Sequence, residues 1–455
     1  MRILGAVVAL ALAAPLGAAP AARPTGWRIP YEVRKLGNGL TVVASEDHAS
    51  PTFGISVVYG VGFRLEPRGR TGFAHLFEHM MFQGTPNAPK GILERVIEGG
   101  GGVNNGSTRY DYTNYVASAP VSALDAILWM EADRLKGLDF SERNLKNQQE
   151  VVKEEIRVNV KNRPYGLFFW TDVAGRAFDK WENGHDGYGS FADLDAAKVE
   201  DVESFFRTYY VPNNAVLAIV GDVAPAEVFA KAEKYFGGIP AGTTLPAADV
   251  AEPPNAQERT LDQTDALARV PAVAVGWKMP SRTSPDFAAA TVLGDLLAAG
   301  EASRLYQGLV KGRSLLVQIN GGVYWPFESP WFVKGPTLLT LFALYKPTST
   351  GPEVMAAIDA EVARIAREGV APGDLQRTKT KMRSDFYAGI EPFLSRADAL
   401  GIQQLLTGNA GEVNDIPARL DAVTSGDVMR VARTWLTAQN RTWIDRKPAP
   451  AADRK

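Results

Sequence analysis

Hydrophobic and polar positions change period several times along the first half of the chain. Residues 40–44 (LTVVA) and 55–59 (ISVVY) are short β-branched apolar runs between turn residues, which predicts strands. Residues 72–82 and 93–97 instead repeat their apolar positions at helical spacing, and 123–135 and 142–158 do so over longer stretches. Residues 109–117 (RYDYTNYVA) alternate in register with a pleated strand. Strands cluster here and do not alternate strictly with helices, so an α+β arrangement is expected over a doubly wound parallel sheet.

The pattern stops at residues 237–259, where GGIPAGTTLPAADVAEPPNAQ (237–257) carries four prolines and no apolar periodicity. This is a linker in composition, and it divides the chain near its middle. Residues 201–214 (DVESFFRTYYVPNN) before it and 427–440 (DVMRVARTWLTAQN) near the end share Asp, Val, Arg, Thr and Asn at one offset of 226 residues. Self-similarity at so long a period predicts a duplicated domain. The expected division is a signal peptide over 1–22, a first domain over 28–236, the linker, and a second, homologous domain over 260–446. Each domain would be a mixed, mainly antiparallel sheet flanked by helices.

Composition excludes several functions. The 455 residues carry 49 basic and 51 acidic side chains, a net charge of −2, without the basic excess of a nucleic-acid binder. Cysteine is absent, so disulfides, thiol nucleophiles and cysteine-ligated metal sites are all excluded. The N-terminus has Arg2 before an apolar run broken by Pro15, then small residues through Ala22, the pattern of a cleaved secretory signal. Export to a periplasm is expected, with no span in the mature chain.

Only four histidines occur, His48, His75, His79 and His185, and two of them share GFAHLFEHMMF. On a helix, His75, Glu78 and His79 fall within an arc of about 100°. Two neutral imidazoles can bind Zn²⁺ while the carboxylate between them takes a proton from water, the inverted H-x-x-E-H order of a zinc protease. Burying these three groups without a metal would leave each in need of a polar partner. A third ligand is required, and the helix QQEVVKEEIR offers Glu150, Glu154 and Glu155. Chain physics alone does not choose among them.

Together, GFAHLFEHMMFQGT, NNGSTRYDYTNY, EVVKEEIR, RPYG (163–166) and YYVPNNAVLAIVGDV resemble the pitrilysin, insulin-degrading enzyme and mitochondrial processing peptidase family of zinc peptidases, here as a bacterial exported zinc-bearing subunit. The resemblance implies one Zn²⁺ per chain, held by His75, His79 and, by the family's spacing, Glu155, with Glu78 as the catalytic base. It also implies that NNGSTRYDYTNY carries an edge strand to which an extended peptide adds, with Asn105, Gly106 and Ser107 at the substrate-contacting positions. Two departures stand out. Gln148 occupies a position that is acidic in many relatives, and Val310 and Val317 stand where active single-chain members present an Arg and a Tyr to the substrate carbonyl. Neither valine can donate a hydrogen bond to an oxyanion. Arg313 is nearby at the wrong offset, and Arg304 is expected to be structural. The implied function is a zinc metalloendopeptidase subunit for short or unfolded peptides, paired with a related chain that supplies the missing donors. The alternatives are a self-sufficient homodimeric peptidase and a non-catalytic assembly subunit.

Overall fold

Two mixed sheets organise the protein in a computed structural model that describes residues 27–450 except 244 and 328. The expected signal peptide, 1–22, lies outside the described residues. The first sheet holds β1 (Glu32–Lys35), β2 (Thr41–Glu46), β3 (Thr52–Tyr59), β4 (Val103–Thr108), β5 (Thr113–Pro120) and β6 (Ala215–Gly221), in the order β1-β2-β6-β3-β5-β4. The second holds β7 (Arg259–Asp265), β8 (Ala272–Lys278), β9 (Leu316–Val323), β10 (Leu338–Tyr345) and β11 (Arg441–Pro448), in the order β7-β11-β8-β10-β9. In each sheet one pair is parallel, β2 with β6 and β7 with β11, and the remaining pairs are antiparallel. The two orders coincide once β1 is set aside, which is the α+β duplication expected from the sequence.

The 226-residue repeat has a structural counterpart. The helices Val199–Tyr209 and Ser425–Trp435, and the strands β6 and β11 that follow them, begin at that same offset. Between β6 and β7, the described residues of 240–258 form neither helix nor strand. This segment is nonetheless tied down, because the Glu252 carboxylate accepts from the backbone N–H groups of Asp179 and Lys180 and pairs with Lys278.

The halves exchange helices. Phe393–Thr407, from the second half, packs on β3 and β6 of the first sheet, and its Ile402 and Leu406 join Val58 and Tyr112 in one buried cluster. In return Phe168, Val173, Ala174 and Ala177 of the first half pack against Ala272, Ala274 and Ile444 of the second sheet. Gly54 makes the first crossing possible: a Cβ there would lie 2.3 Å from the backbone nitrogen of Leu394. Burying such aliphatic and aromatic side chains stabilises by about 1.5–3 kcal/mol each.

One expected strand is shorter than its pattern. Residues 109–112 turn a hairpin, the Arg109 N–H donating to the Tyr112 carbonyl at 2.8 Å, and the strand begins only at Thr113. Tyr110 and Tyr112 are buried in the turn, so their alternation imitates a pleat. The partner strand β4 (VNNGST) is polar, and hydrophobic periodicity gives no sign of it.

Candidate active site

The helix Phe73–Met80 begins at Gly72, whose φ of +79° suits glycine, and buries Phe73, Leu76, Phe77 and Met80. Phe73 meets Phe205 edge-on at 5.5 Å, and Phe77 lies 4.3 Å from the ring of Tyr210. With that face fixed by packing, the opposite face presents His75, Glu78 and His79. The second contributing helix, Glu142–Ile156, starts at Ser141, whose hydroxyl accepts from the Asn144 N–H, and buries Leu145, Val152 and Ile156.

These two helices bring three ligand atoms together. His75 Nε2 and His79 Nε2 are 3.3 Å apart, and the Glu155 carboxylate lies 3.4 Å from the first and 3.5 Å from the second. A tetrahedral Zn²⁺ with bonds of about 2.0–2.1 Å separates its ligands by about 3.3–3.4 Å; the His75–His79 separation matches one such edge, and Glu155 approaches the two rings with different oxygens, Oε2 toward His75 and Oε1 toward His79. Among the described residues this is the one His/Asp/Glu cluster able to hold a metal, and it has no fourth protein donor. Glu150 and Glu154 are used elsewhere: Glu150 pairs with Lys153 at 2.6 Å and Glu154 with Arg157 at 2.9 Å. Of the three glutamates only Glu155 stands beside the two imidazoles.

The electrostatics suit a cation. The Glu155 carboxyl is held below the usual carboxylate range by its contact with His75, against a smaller opposing effect of burial. Burial, and then the neighbouring His75, keep His79 below its ordinary value, so it is available as a neutral ligand. Gln148 is buried and hydrogen-bonds His79. The Nδ1 of His75 is buried without a hydrogen-bond partner, and its ring faces the edge of Tyr188 at 5.5 Å.

Glu78 stands apart from the ligand cluster and faces β4, where its Oε2 accepts from the Thr108 hydroxyl at 2.6 Å. A Cβ on Gly106 would lie 3.0 Å from Glu78 Cγ, so the strand approaches this closely because that position is glycine. β4 is the edge of its sheet, with one side of its main chain unpaired. Gly106 and Thr108 share the face turned to Glu78. Asn105 and Ser107 point to the other face, where Ser107 donates to Asn114, which in turn donates to Asp398 at 2.6 Å. Of the three residues expected to contact substrate, only Gly106 therefore stands beside Glu78.

Sequence reasoning missed Thr108 and Tyr188. A β-hydroxyl two residues from the expected Gly106 was the available signal for Thr108, but nothing local marks Tyr188. In the second half Val310 is half-buried on the helical turn Tyr306–Gly312, and Val317 is 51% exposed on β9. Arg304 is bound by Glu361 and Asp374, a structural role as expected.

Comparison with known proteins decides the family. Residues 41–167 match the description of insulinase, peptidase family M16, and residues 196–382 match that of the peptidase M16 inactive domain. The chain belongs to peptidase family M16. It is 26% identical over 427 residues to the zinc protease PqqE of Helicobacter pylori, spanning 92% of this chain and 93% of that one. It is 26% identical over 413 residues to the probable mitochondrial-processing peptidase subunit beta of Arabidopsis thaliana, spanning 89% and 76% of the two chains. The crystal structure of a protease from Helicobacter pylori superposes with a TM-score of 0.86 at 25% identity, covering 93% of this chain and 100% of that one. The M16 match over 41–167 contains His75, Glu78, His79 and Glu155, and the match to the inactive domain contains Val310 and Val317. No helix among the described residues of this M16 chain is long and apolar enough to cross a membrane.

Proposed function

We propose that this chain is the metal-bearing subunit of a zinc endopeptidase that cleaves short or unfolded peptides in the periplasm, and that a related chain completes its active centre. One observation carries the reading: His75, His79 and Glu155 converge beside a carboxylate, Glu78, that takes no part in the set and faces the free edge of a strand. Zn²⁺ held there would acidify a water molecule and polarise the scissile carbonyl.

The remaining work falls to side chains and main chain. An extended peptide pairs with the open edge of β4, which reads main chain more than sequence and admits only segments free of folded structure. Glu78 accepts the proton of the attacking water and delivers it to the leaving amine. Thr108 holds that carboxylate in direction by donating to it. Val310 and Val317 carry no donor for the oxyanion, which supports a partner supplying Arg and Tyr. The name of the Arabidopsis relative, a subunit, agrees with this. Arg313 supports the second reading, a self-sufficient homodimer, because it is exposed next to β9 and has no ion pair among the described residues.

The test is cleavage of an unstructured peptide by zinc-loaded protein, alone and with the related chain from its native host. A stoichiometric metal, activity abolished by Glu78→Gln and stimulation by the partner are expected. Absence of zinc, or activity indifferent to Glu78, removes the reading.

A further inference from the structure

Two of the four histidines lie in the metal set, and His48 is exposed between Glu46 and Asp222. His185 is different: its side chain is 2% exposed and faces Glu66, whose side chain is fully buried. We propose that His185, as an imidazolium paired with Glu66, is a positioning residue for the metal centre, fixing the start of the H-x-x-E-H helix and the loop carrying Tyr188, and through both the direction of His75. This rests on the reading that His75, His79 and Glu155 hold Zn²⁺.

Both ring nitrogens of His185 face acceptors. Nε2 is 3.0 Å from Glu66 Oε2, and Nδ1 is 2.7 Å from the Trp181 carbonyl oxygen. A neutral imidazole can donate from only one nitrogen, so two acceptors select the doubly protonated ring. Glu66 in turn faces donors: besides His185, its carboxylate accepts from the Gly72 N–H at 3.1 Å and the Ala74 N–H at 2.8 Å. Burial leaves the Glu66 carboxyl above its ordinary value, and His185 and the two backbone N–H groups work against it in favour of the ionised form. The ring also stacks on Trp181 at 4.5 Å with planes 8° apart, a contact that strengthens with charge.

The pair reaches His75 by two routes. Gly72 has no side chain to cap the helix Phe73–Met80, and the Glu66 carboxylate serves instead, binding the N–H groups of Gly72 and Ala74 and opposing the positive end of the helix dipole. His75 is the next residue. By the second route, the segment after His185 lies on that same helix start. A Cβ on Gly72 would meet the Tyr188 carbonyl at 2.6 Å, the Ser190 N–H donates to the Thr71 hydroxyl, and the Tyr188 ring packs edge-on to His75. His75 Nδ1 has no hydrogen-bond partner among the described residues, so these packing contacts join those of Nε2 with His79 and Glu155 in orienting the ring.

The charge on His185 depends on pH. Burial pulls the imidazolium down, but Glu66 and the Trp181 carbonyl outweigh it, leaving the group above its ordinary value. The other charges around the pair are Asp186, Arg68 over the Trp181 ring at 4.8 Å, Arg64 through Asn183, and His75. A raised histidine contributes fully below its unfolded value, and the contribution is lost as pH rises through the folded one. The device therefore loosens on the alkaline side.

Selective ¹⁵N labelling of histidine in the unsubstituted chain reads the ring directly. Both nitrogens of His185 should be protonated at pH 7, and in Glu66→Gln the ring should be neutral at that pH. A neutral His185 in the unsubstituted chain overturns the proposal without any variant having to fold. In folded His185→Gln, zinc affinity should fall about 10- to 100-fold, the size typical of lost outer partners of a ligand, with kcat reduced and KM little changed. Glu66→Gln combined with His185→Gln should lose no more than the worse single variant, because the two act as one unit. Unchanged zinc affinity in folded His185→Gln removes this proposal alone. Absence of zinc from the unsubstituted chain removes the functional reading and this proposal with it.

Discussion

Gln148 and Glu155 stand seven residues apart on one face of the helix Glu142–Ile156 and reach the same imidazole, that of His79. Seven residues are two helical turns, so a single rigid element brings both side chains to that ring.

This pairing predicts how metal content responds to substitution. Glu155→Gln should lose most of its zinc by elemental analysis, and Glu154→Gln should keep it, because Glu154 is turned to Arg157. Gln148→Leu should weaken zinc about 10- to 100-fold in a chelator competition, and Gln148→Glu should bind at least as tightly as the unsubstituted chain. Equal loss in the two glutamate variants would refute the assignment.

Glu78→Gln should retain zinc and fold but lose about 10²–10⁴ in kcat, since an amide accepts no proton. Thr108→Val removes the hydroxyl that holds Glu78 and should lower kcat by a smaller factor, with the metal intact. Turnover of a reporter peptide by zinc-replete variants measures both. A Thr108→Val variant with normal kcat would show that the carboxylate needs no such support.

The valines at 310 and 317 predict a slow isolated chain. One missing oxyanion donor reduces the rate by about 10²–10³, and the related chain should restore it. Arg313→Ala distinguishes the two readings: it should leave the activity of the mixture unchanged, whereas a self-sufficient homodimer would lose its donor. Assays of each chain alone and of the mixture decide between them.

Gly54→Ala should destabilise the whole protein by about 1–3 kcal/mol, the usual penalty for overpacking a core. The added methyl would enter the backbone of Leu394, where the second half crosses the first sheet. Thermal unfolding should show a lower Tm. Gly37→Ala, whose Cβ would meet nothing within 4 Å, is the control.

Spacing within one helix already determined a good deal of this protein. The four-residue step between His75 and His79 put both imidazoles on one face, and the 226-residue echo of residues 201–214 in residues 427–440 marked the duplication. Such readings succeed because the direction of a side chain along a regular element depends on residue count alone. What tertiary structure decided involves partners far apart in the chain. Glu155, and not Glu150 or Glu154, is brought to the two imidazoles by the way two helices pack. The polar strand β4 exists because β5 pairs with it. Glu66 and His185 meet across 119 residues, at the head of a helix that neither belongs to. In each case the deciding quantity is a distance set by the packing of separate elements, and no local pattern of residues carries it.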